Sequence, residues 1–160
     1  MRLHVTLSAT LLLALACHAG AALAGEGAEG PGERCRRLGD DDATHGIPAS
    51  LAPAARRALG LNMSDAEAMR GTVYRCMGGA VLVCSHGANI PCAKGDTGRD
   101  LPAAREFCRA NPDTDFIPAY VTGHDTVLNW RCQDGRAVAS GPGQALDARG
   151  FVASQWRPLP

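Results

Sequence analysis

Hydrophobic and polar positions follow a helical period early in the chain and a strand period later. After Ser50, leucine and alanine recur every three or four positions as far as Leu59, and Gly60 can end this helix in a left-handed conformation. Residues 64–67 have the capping-box spacing that begins a second helix, which closes at Gly71. The pattern therefore predicts two N-terminal helices.

From position 72 onward, short apolar runs bounded by turn residues are typical of β-strands. The strand candidates are 72–76, 80–84, 126–132, 136–139, 144–146 and 151–156. The first two are joined by a turn at 77–79, and the next two by an Asp-Gly turn of the kind that forms tight hairpins. We therefore expect two hairpins and two isolated strands.

One further helix is predicted between the two hairpins. Asp100 is expected to cap it, Pro102 fits its first turn, and Asn111 followed by Pro112 ends it. The elements together predict an α+β fold: a small antiparallel sheet of about five or six strands with two N-terminal helices and one inserted helix.

The two hairpins share the short sequence aromatic-Arg-Cys-x-x-Gly, at 74–79 and 130–135. Each copy lies where a strand enters a turn. We expect two hairpins built alike to lie side by side in one antiparallel sheet, and a chance similarity between short strands is the alternative.

The cysteines predict a protein that is held together by disulfides. Of the seven cysteines, Cys17 lies in the N-terminal segment. The other six are Cys35, Cys76, Cys84, Cys92, Cys108 and Cys132. An even set in a short exported chain is typical of a disulfide-stabilised extracytoplasmic domain. The sequence cannot select one connectivity; the preferred pairs are Cys76 with Cys132, from the matched hairpins, Cys84 with Cys92, and Cys35 with Cys108.

The first residues predict export. Residues 5–16 form an apolar run that is shorter than the roughly 20 residues of a membrane span, and the small-x-small pattern at 22–24 predicts cleavage before Gly25. As an alternative, residues 14–17 resemble a lipoprotein box, which would place a lipid anchor on Cys17. Both readings lead to a periplasmic or secreted protein without a transmembrane span.

Composition changes along the chain predict its organisation. Gly and Glu dominate 25–34, and the three adjacent aspartates at 40–42 are typical of a solvated acidic turn. The predicted organisation is a signal peptide at 1–24, a flexible leader at 25–46 and a single disulfide-stabilised α+β domain at 47–160.

Charge and aromatic content restrict the partners. The chain has 16 basic and 16 acidic residues with no dominant block of like charge, which argues against a nucleic-acid partner. Aromatic residues make up only 4% of the chain, and most are expected in the core, which argues against a stacking platform for sugars or bases. We predict no cofactor, and an envelope or extracellular protein as the partner.

Four residues are candidates for binding. His86 and Asn89 lie between Cys84 and Cys92, on a loop that a disulfide would hold ready for a partner. His124 and Asp125 are adjacent in sequence, but adjacent residues on a strand point to opposite sides, and the chain has no nucleophile elbow. The histidines also lack the spacing of known metal-ligand sets, so no metal site is predicted.

Several segments resemble known families. The stretch 72–158 resembles a family of small, exported, uncharacterised bacterial proteins through motifs at 73–76, 87–89, 115–118, 122–125 and 147–151. The hairpin at 130–135 is similar to the opening strand of periplasmic and membrane-bound inhibitors of c-type lysozyme, although their C-terminal Ser-Gly-x-x-Tyr motif is absent. The Cys84–Cys92 loop with His86 resembles, in miniature, the loop that carries a histidine into the enzyme's cleft in the periplasmic inhibitor of vertebrate lysozyme.

The sequence thus favours an exported, non-catalytic binding or inhibitor-like module. Its expected contact surface is the Cys84–Cys92 loop together with the turn at 122–125. The alternatives are a small envelope hydrolase that uses His124 and Asp125, and a structural envelope protein.

Overall fold

The computed structural model of the chain describes residues 29–160. The predicted signal peptide, its cleavage site and Cys17 lie outside these residues. The helices are α1 (Pro31–Leu38), α2 (Ala52–Leu59), α3 (Asp65–Gly71), α4 (Pro102–Ala110) and α5 (Ala119–Thr122). The strands are β1 (Asp41–Gly46), β2 (Thr72–Met77), β3 (Ala80–Ser85), β4 (Asn129–Gln133), β5 (Arg136–Ser140) and β6 (Arg157–Pro158). The predicted α+β fold is confirmed.

The main sheet is antiparallel and has four strands in the order β1-β2-β3-β6. Successive side chains of a strand point to opposite faces, and here both faces are covered. One face carries Tyr74 and Val83, which pack against α1 and α2. The other carries Leu82, which packs against Phe151 and Trp156 of the C-terminal segment. Burial on both faces explains why β2 and β3 are almost continuously buried.

Local sequence signals give the helix ends. Gly60 ends α2 at φ 66°, in the left-handed region. The capping box at α3 is complete, since Ser64 Oγ accepts from Glu67 N and Glu67 Oε2 accepts from Ser64 N. The capping residue of α4 is Leu101, so the prediction of an Asp100 cap is wrong; Asp100 instead forms an ion pair with Arg105.

The flexible leader predicted at 25–46 is wrong from residue 31 onward, because α1 and β1 occupy this region. The sequence there has too few apolar residues to fold by burial alone. Cys35 anchors it, being fully buried and bonded to Cys76. Side-chain bonds add to this anchor, with Arg34 Nη2 donating to Asp41 at 2.9 Å. The ordered domain therefore begins before residue 47.

The disulfides confirm one of the three preferred pairs. Cys84 bonds to Cys92, as predicted. The other two predictions are wrong, because Cys35 bonds to Cys76 and Cys108 bonds to Cys132. Three disulfides are the bonds expected of an oxidising compartment.

The C-terminal strand candidates form little regular sheet. The predicted strands at 144–146 and 151–156 meet only in an isolated bridge between Leu146 and Val152.

Among residues 29–160, none of the helices combines the length and apolar character needed to cross a bilayer.

The repeated aromatic-Arg-Cys-x-x-Gly sequence marks two copies of one helix–hairpin unit. In each copy the hairpin cysteine bonds to a cysteine in a preceding helix. The hairpin glycine then donates to the carbonyl four residues after that helical cysteine: Gly79 N lies 2.8 Å from Gly39 O, and Gly135 N lies 3.0 Å from Pro112 O.

A second matched bond supports this equivalence. An aspartate five residues after each helical cysteine accepts from the hairpin turn. Asp40 Oδ1 lies 2.8 Å from Gly78 N, and Asp113 Oδ1 lies 3.4 Å from Asp134 N. The expectation that the hairpins share one sheet is wrong, because β4 and β5 form a separate two-stranded sheet. Similar sequence here reflects similar packing against a helix.

Candidate ligand-binding site

The Cys84–Cys92 loop leaves the end of β3 as a compact, closed turn. Its two cysteines are buried and lie eight residues apart. Between them, Gly87 N donates to Ile90 O at 3.1 Å, and Ile90 N donates to Gly87 O at 3.2 Å. These bonds place the exposed Asn89 at the tip of the turn.

A second segment, which runs from residue 116 to 126, is held against the small sheet. Ile117 N donates to Trp130 O at 2.8 Å, and α5 follows directly. Gly123 ends α5 at φ 92°, a conformation that a side chain would strain. Asp125 O then accepts from Asp96 N at 2.7 Å, which fixes the end of the segment.

A side-chain hydrogen bond joins the two segments. Nδ1 of His124 lies 3.1 Å from Oδ1 of Asn89, across 35 positions of the chain. The carbonyl oxygen can only accept, so the ring donates. This leaves Nε2 as the ring nitrogen that a ligand can engage.

The structure brings together two of the four predicted binding residues. Asn89 and His124 meet, whereas His86 is exposed and its backbone N–H donates to Gly71 O at 2.8 Å. Asp125 is exposed, and the contact described for His124 is with the Asn89 amide rather than with this carboxylate. The structure therefore does not assemble the His124 and Asp125 pair of the hydrolase alternative.

Two clefts share Asn89 as a lining residue. The smaller has a volume of about 130 Å³ and the larger about 350 Å³. Asn89 and Gln144 line both, so the clefts adjoin, and together we call them the Asn89 groove. The smaller cleft also contains Phe116, Thr122, His124 and Asn129. The larger one continues past Ile90 to Leu59.

The Asn89 groove has almost no formal charge. None of the described residues that line the smaller cleft is Asp, Glu, Lys or Arg. The larger cleft includes one cation, Arg157, whose guanidinium donates to Ser154 O at 2.9 Å. Recognition at this site therefore depends on hydrogen bonds and apolar contact.

Two aromatic rings are exposed, Phe116 in the lining of the smaller cleft and Tyr120 on α5, and the sequence did not predict their exposure. Phe116 is 62% exposed and Tyr120 is 78% exposed. Most other aromatic residues fill the core, as expected: Tyr74, Trp130, Phe151 and Trp156 are buried. Successive side chains of an extended segment point to opposite sides. Because Ile117 points into the core and is only 2% exposed, its neighbour Phe116 points outward, and this alternation is the signal that could have identified it.

The acidic segment at 40–42 has a structural role. Hydrogen bonds from Arg34, the larger effect, and from His45 lower the pKa of Asp41 to about 2. Hydrogen bonds from Arg149, the larger effect, and from Lys94 lower the pKa of Asp42 to about 2. A solvated turn was predicted, and the correction is that these carboxylates are paired.

In the described part of the chain, no three His, Cys, Asp or Glu side chains are placed to hold a metal ion.

Comparison of the chain with protein-family models, with curated proteins and with solved structures finds no match to any of them. The resemblances given by the sequence motifs therefore remain predictions, and the site must be interpreted from its own chemistry.

Proposed function

We propose that this protein is an exported, non-catalytic binding module and that the Asn89 groove is its ligand-binding site. The observation that carries the proposal is the hydrogen bond between Asn89 and His124, since it joins the disulfide-closed loop to the 116–126 segment. Two segments that are distant in sequence thus form one surface.

Rigidity supports a binding role. The loop is closed by a disulfide, and its tip is fixed by two backbone bonds. A surface that is ordered before binding loses less conformational entropy when the ligand arrives. Exposed aromatic side chains beside such a surface are enriched at recognition sites.

The chemistry of the groove argues for binding over hydrolysis. A general base needs a nucleophile within hydrogen-bonding distance and a group that orients it. The Nδ1 of His124 is held by an amide, and Thr126 Oγ1 accepts from the Trp130 indole N–H at 3.3 Å. These bonds hold the side chains in place without activating a nucleophile.

Export is part of the proposal. The three disulfides support an oxidising compartment, periplasmic or secreted. The N-terminal segment supplies either a cleaved signal peptide or a lipid anchor on Cys17.

Co-sedimentation with purified cell envelopes of the native host tests this function. The oxidised domain, residues 25–160, should sediment with the envelopes, and the double variant F116A/Y120A should lose at least about 10-fold in affinity, the effect of 1.4 kcal/mol. Met69→Ala is the matched control, because Met69 is an exposed apolar residue (38%) that does not line the groove. Absence of sedimentation, or an equal loss in the Met69→Ala variant, would overturn the proposal.

The hydrolase alternative is tested on the same material. We expect no turnover of a generic ester or of peptidoglycan fragments above a buffer blank. Turnover that is abolished by His124→Ala would instead establish the envelope hydrolase.

A further inference from the structure

We infer that the ligand of the Asn89 groove is an uncharged saccharide chain. This inference rests on the proposed function and gives its ligand a chemical class. Four features of the groove support it: its scarcity of charge, its amide side chains, the exposed Phe116 ring and the continuity of its two clefts.

Neutrality excludes the commonest charged ligands. Nucleic acids and phosphorylated ligands are bound by clustered Lys and Arg side chains, and the smaller cleft contains neither. Cationic peptides need carboxylates, which are also absent from its lining. Arg157, the single cation of the larger cleft, already donates to backbone carbonyl groups of Ser154 and Trp156.

The polar groups of the groove match hydroxyl groups. Asn89, Asn129 and Gln144 line the smaller cleft, and each carboxamide offers two N–H donors and one carbonyl acceptor. A saccharide hydroxyl both donates and accepts, so an amide can pair with two neighbouring hydroxyl groups at once. His124 adds Nε2, because its Nδ1 is already bonded to Asn89.

The exposed Phe116 ring matches the other face of a sugar, contrary to the expectation from composition that the chain offers no stacking platform. The C–H groups of a pyranose carry a small positive charge, and the face of an aromatic ring is negative. Phe116 lines the smaller cleft and is 62% exposed. Tyr120, on the neighbouring α5, is 78% exposed but does not line that cleft. A ring that stacks on a sugar must be exposed in this way before the ligand binds.

The size of the groove favours a chain over a single sugar. The smaller cleft, about 130 Å³, is below the range of about 300–1,000 Å³ in which small-molecule pockets usually fall. It adjoins the larger cleft of about 350 Å³ through Asn89 and Gln144. One ring can therefore occupy the smaller cleft while its neighbours continue along the larger one.

Titration calorimetry with neutral oligosaccharides tests the inference. The probes are hexamers of β-1,4-linked glucose and of β-1,4-linked N-acetylglucosamine, with hexagalacturonate as an anionic control of similar length. We expect at least one neutral hexamer to bind at least 10-fold more tightly than hexagalacturonate. Phe116→Ala and Gln144→Ala should each weaken that binding 5- to 50-fold, while Met69→Ala leaves it within 2-fold.

The two tryptophans provide a readout inside the molecule. Trp130 lines the smaller cleft, whereas Trp156 is buried in the main core beside Phe151. In a ¹H–¹⁵N spectrum, the Trp130 indole signal should move further than the Trp156 signal on addition of the bound hexamer, because only Trp130 lines the groove. Equal movement of both signals, or of neither, would contradict binding in the groove.

Failure of this inference is distinguishable from failure of the proposed function. If envelope binding depends on Phe116 and Tyr120 but no neutral hexamer competes with it, and protease treatment of the envelopes removes it, then the ligand is a protein and the saccharide inference is wrong. If protease-treated envelopes retain the binding and a neutral hexamer competes, both stand. If binding to envelopes and to hexamers is absent, both fail.

Discussion

Arg75 and Asp147 form an ion pair that holds the C-terminal segment against the main sheet. The Arg75 side chain is completely buried, and its guanidinium carbon lies 4.1 Å from the centre of the Phe151 ring and 4.6 Å from that of Trp156. Asp147 also accepts from the backbone N–H groups of Arg149 and Phe151, at 2.8 and 3.1 Å. One carboxylate therefore neutralises the buried cation and shapes the turn that brings the aromatic rings over it.

Removing this carboxylate should be strongly destabilising. Asp147→Ala leaves a buried guanidinium without a counter-charge, and we expect a loss of about 3–5 kcal/mol in the free energy of unfolding. Urea denaturation followed by near-UV circular dichroism measures it. Asp115→Ala, at an exposed position, is the control and should change stability by less than about 0.5 kcal/mol.

A double-mutant cycle separates the pair from the turn. If the ion pair dominates, Arg75→Met should reduce the effect of Asp147→Ala, since the uncompensated charge is gone. An unchanged effect of Asp147→Ala in the Arg75→Met background would show that Asp147 acts only through its bonds to the backbone.

The three disulfides should differ in the stability they provide. In the chain-entropy model, the stabilisation rises with the size of the closed loop, and the sequence separation is 41 for Cys35–Cys76, 24 for Cys108–Cys132 and 8 for Cys84–Cys92. Replacing each pair with alanine should lower the free energy of unfolding by about 4, 3.5 and 2.5 kcal/mol respectively.

The pairing itself is checked by peptide mapping without reduction. A peptide that joins Cys76 to Cys132 would contradict the observed connectivity. Replacing Cys84 and Cys92 with alanine should also weaken envelope binding more than replacing Cys108 and Cys132 does. The reason is that the Cys84–Cys92 disulfide closes the loop that carries Asn89.

Acid should unfold the N-terminal part of the domain through Asp41 and Asp42. Their pKa values, about 2, lie below the ordinary value of 3.8, so the folded state binds protons less readily than the unfolded chain. Their contribution to stability is thus fully present above about pH 5 and is lost as the pH falls towards 2. Thermal melts between pH 2 and pH 7 measure this loss.

The double variant D41N/D42N should show a flatter dependence of melting temperature on pH in this range than the wild type. D113N, which removes an aspartate of the second helix–hairpin unit, is the control. An equal flattening by D113N would mean that the pairs of Asp41 and Asp42 are not responsible.

Gly143 should tolerate no side chain, and its replacement should disturb the groove. Its φ is 73°, and a Cβ atom there would lie 2.6 Å from Val127 O, the carbonyl to which Gln144 N donates. Gly143→Ala should therefore lower the free energy of unfolding by about 2 kcal/mol or more and displace Gln144.

Gly141→Ala is the matched control for this substitution. Gly141 has nearly the same φ, 72°, but the nearest atom to its Cβ would be 3.7 Å away on the Asn129 side chain. It should show only the cost of the left-handed conformation, about 1–2 kcal/mol. Equal losses in the two variants would show that the contact with Val127 O is unimportant.

Local signals made part of the fold predictable. The complete capping box of Ser64 and Glu67 and the left-handed Gly60 depend on neighbouring residues alone, so they could be identified without tertiary structure. The two hairpins were predicted for the same reason, because their turns and apolar runs are contiguous. The Cys84–Cys92 pair also follows from a short separation.

Other features required long-range partners. The segment 31–46 has the composition of a disordered chain, and it is ordered by Cys76 and by the main sheet, which lie far along the sequence. The exposure of Tyr120 was equally hidden, since an aromatic residue is usually placed in the core by default. At the groove, Asn89 and His124 were candidates separately, but only the packing of the two segments placed them 3.1 Å apart.

The sequence by itself determined the elements that close over a few residues: capped helices, hairpins and the closely spaced Cys84–Cys92 pair. The tertiary structure decided which cysteines meet, that two similar hairpins enter different sheets, and that a groove lined by Asn89, Phe116 and His124 forms between two distant segments. The physical reason is that short-range bonds are specified by adjacent residues, whereas contacts across 24 or more positions depend on how all the elements pack together.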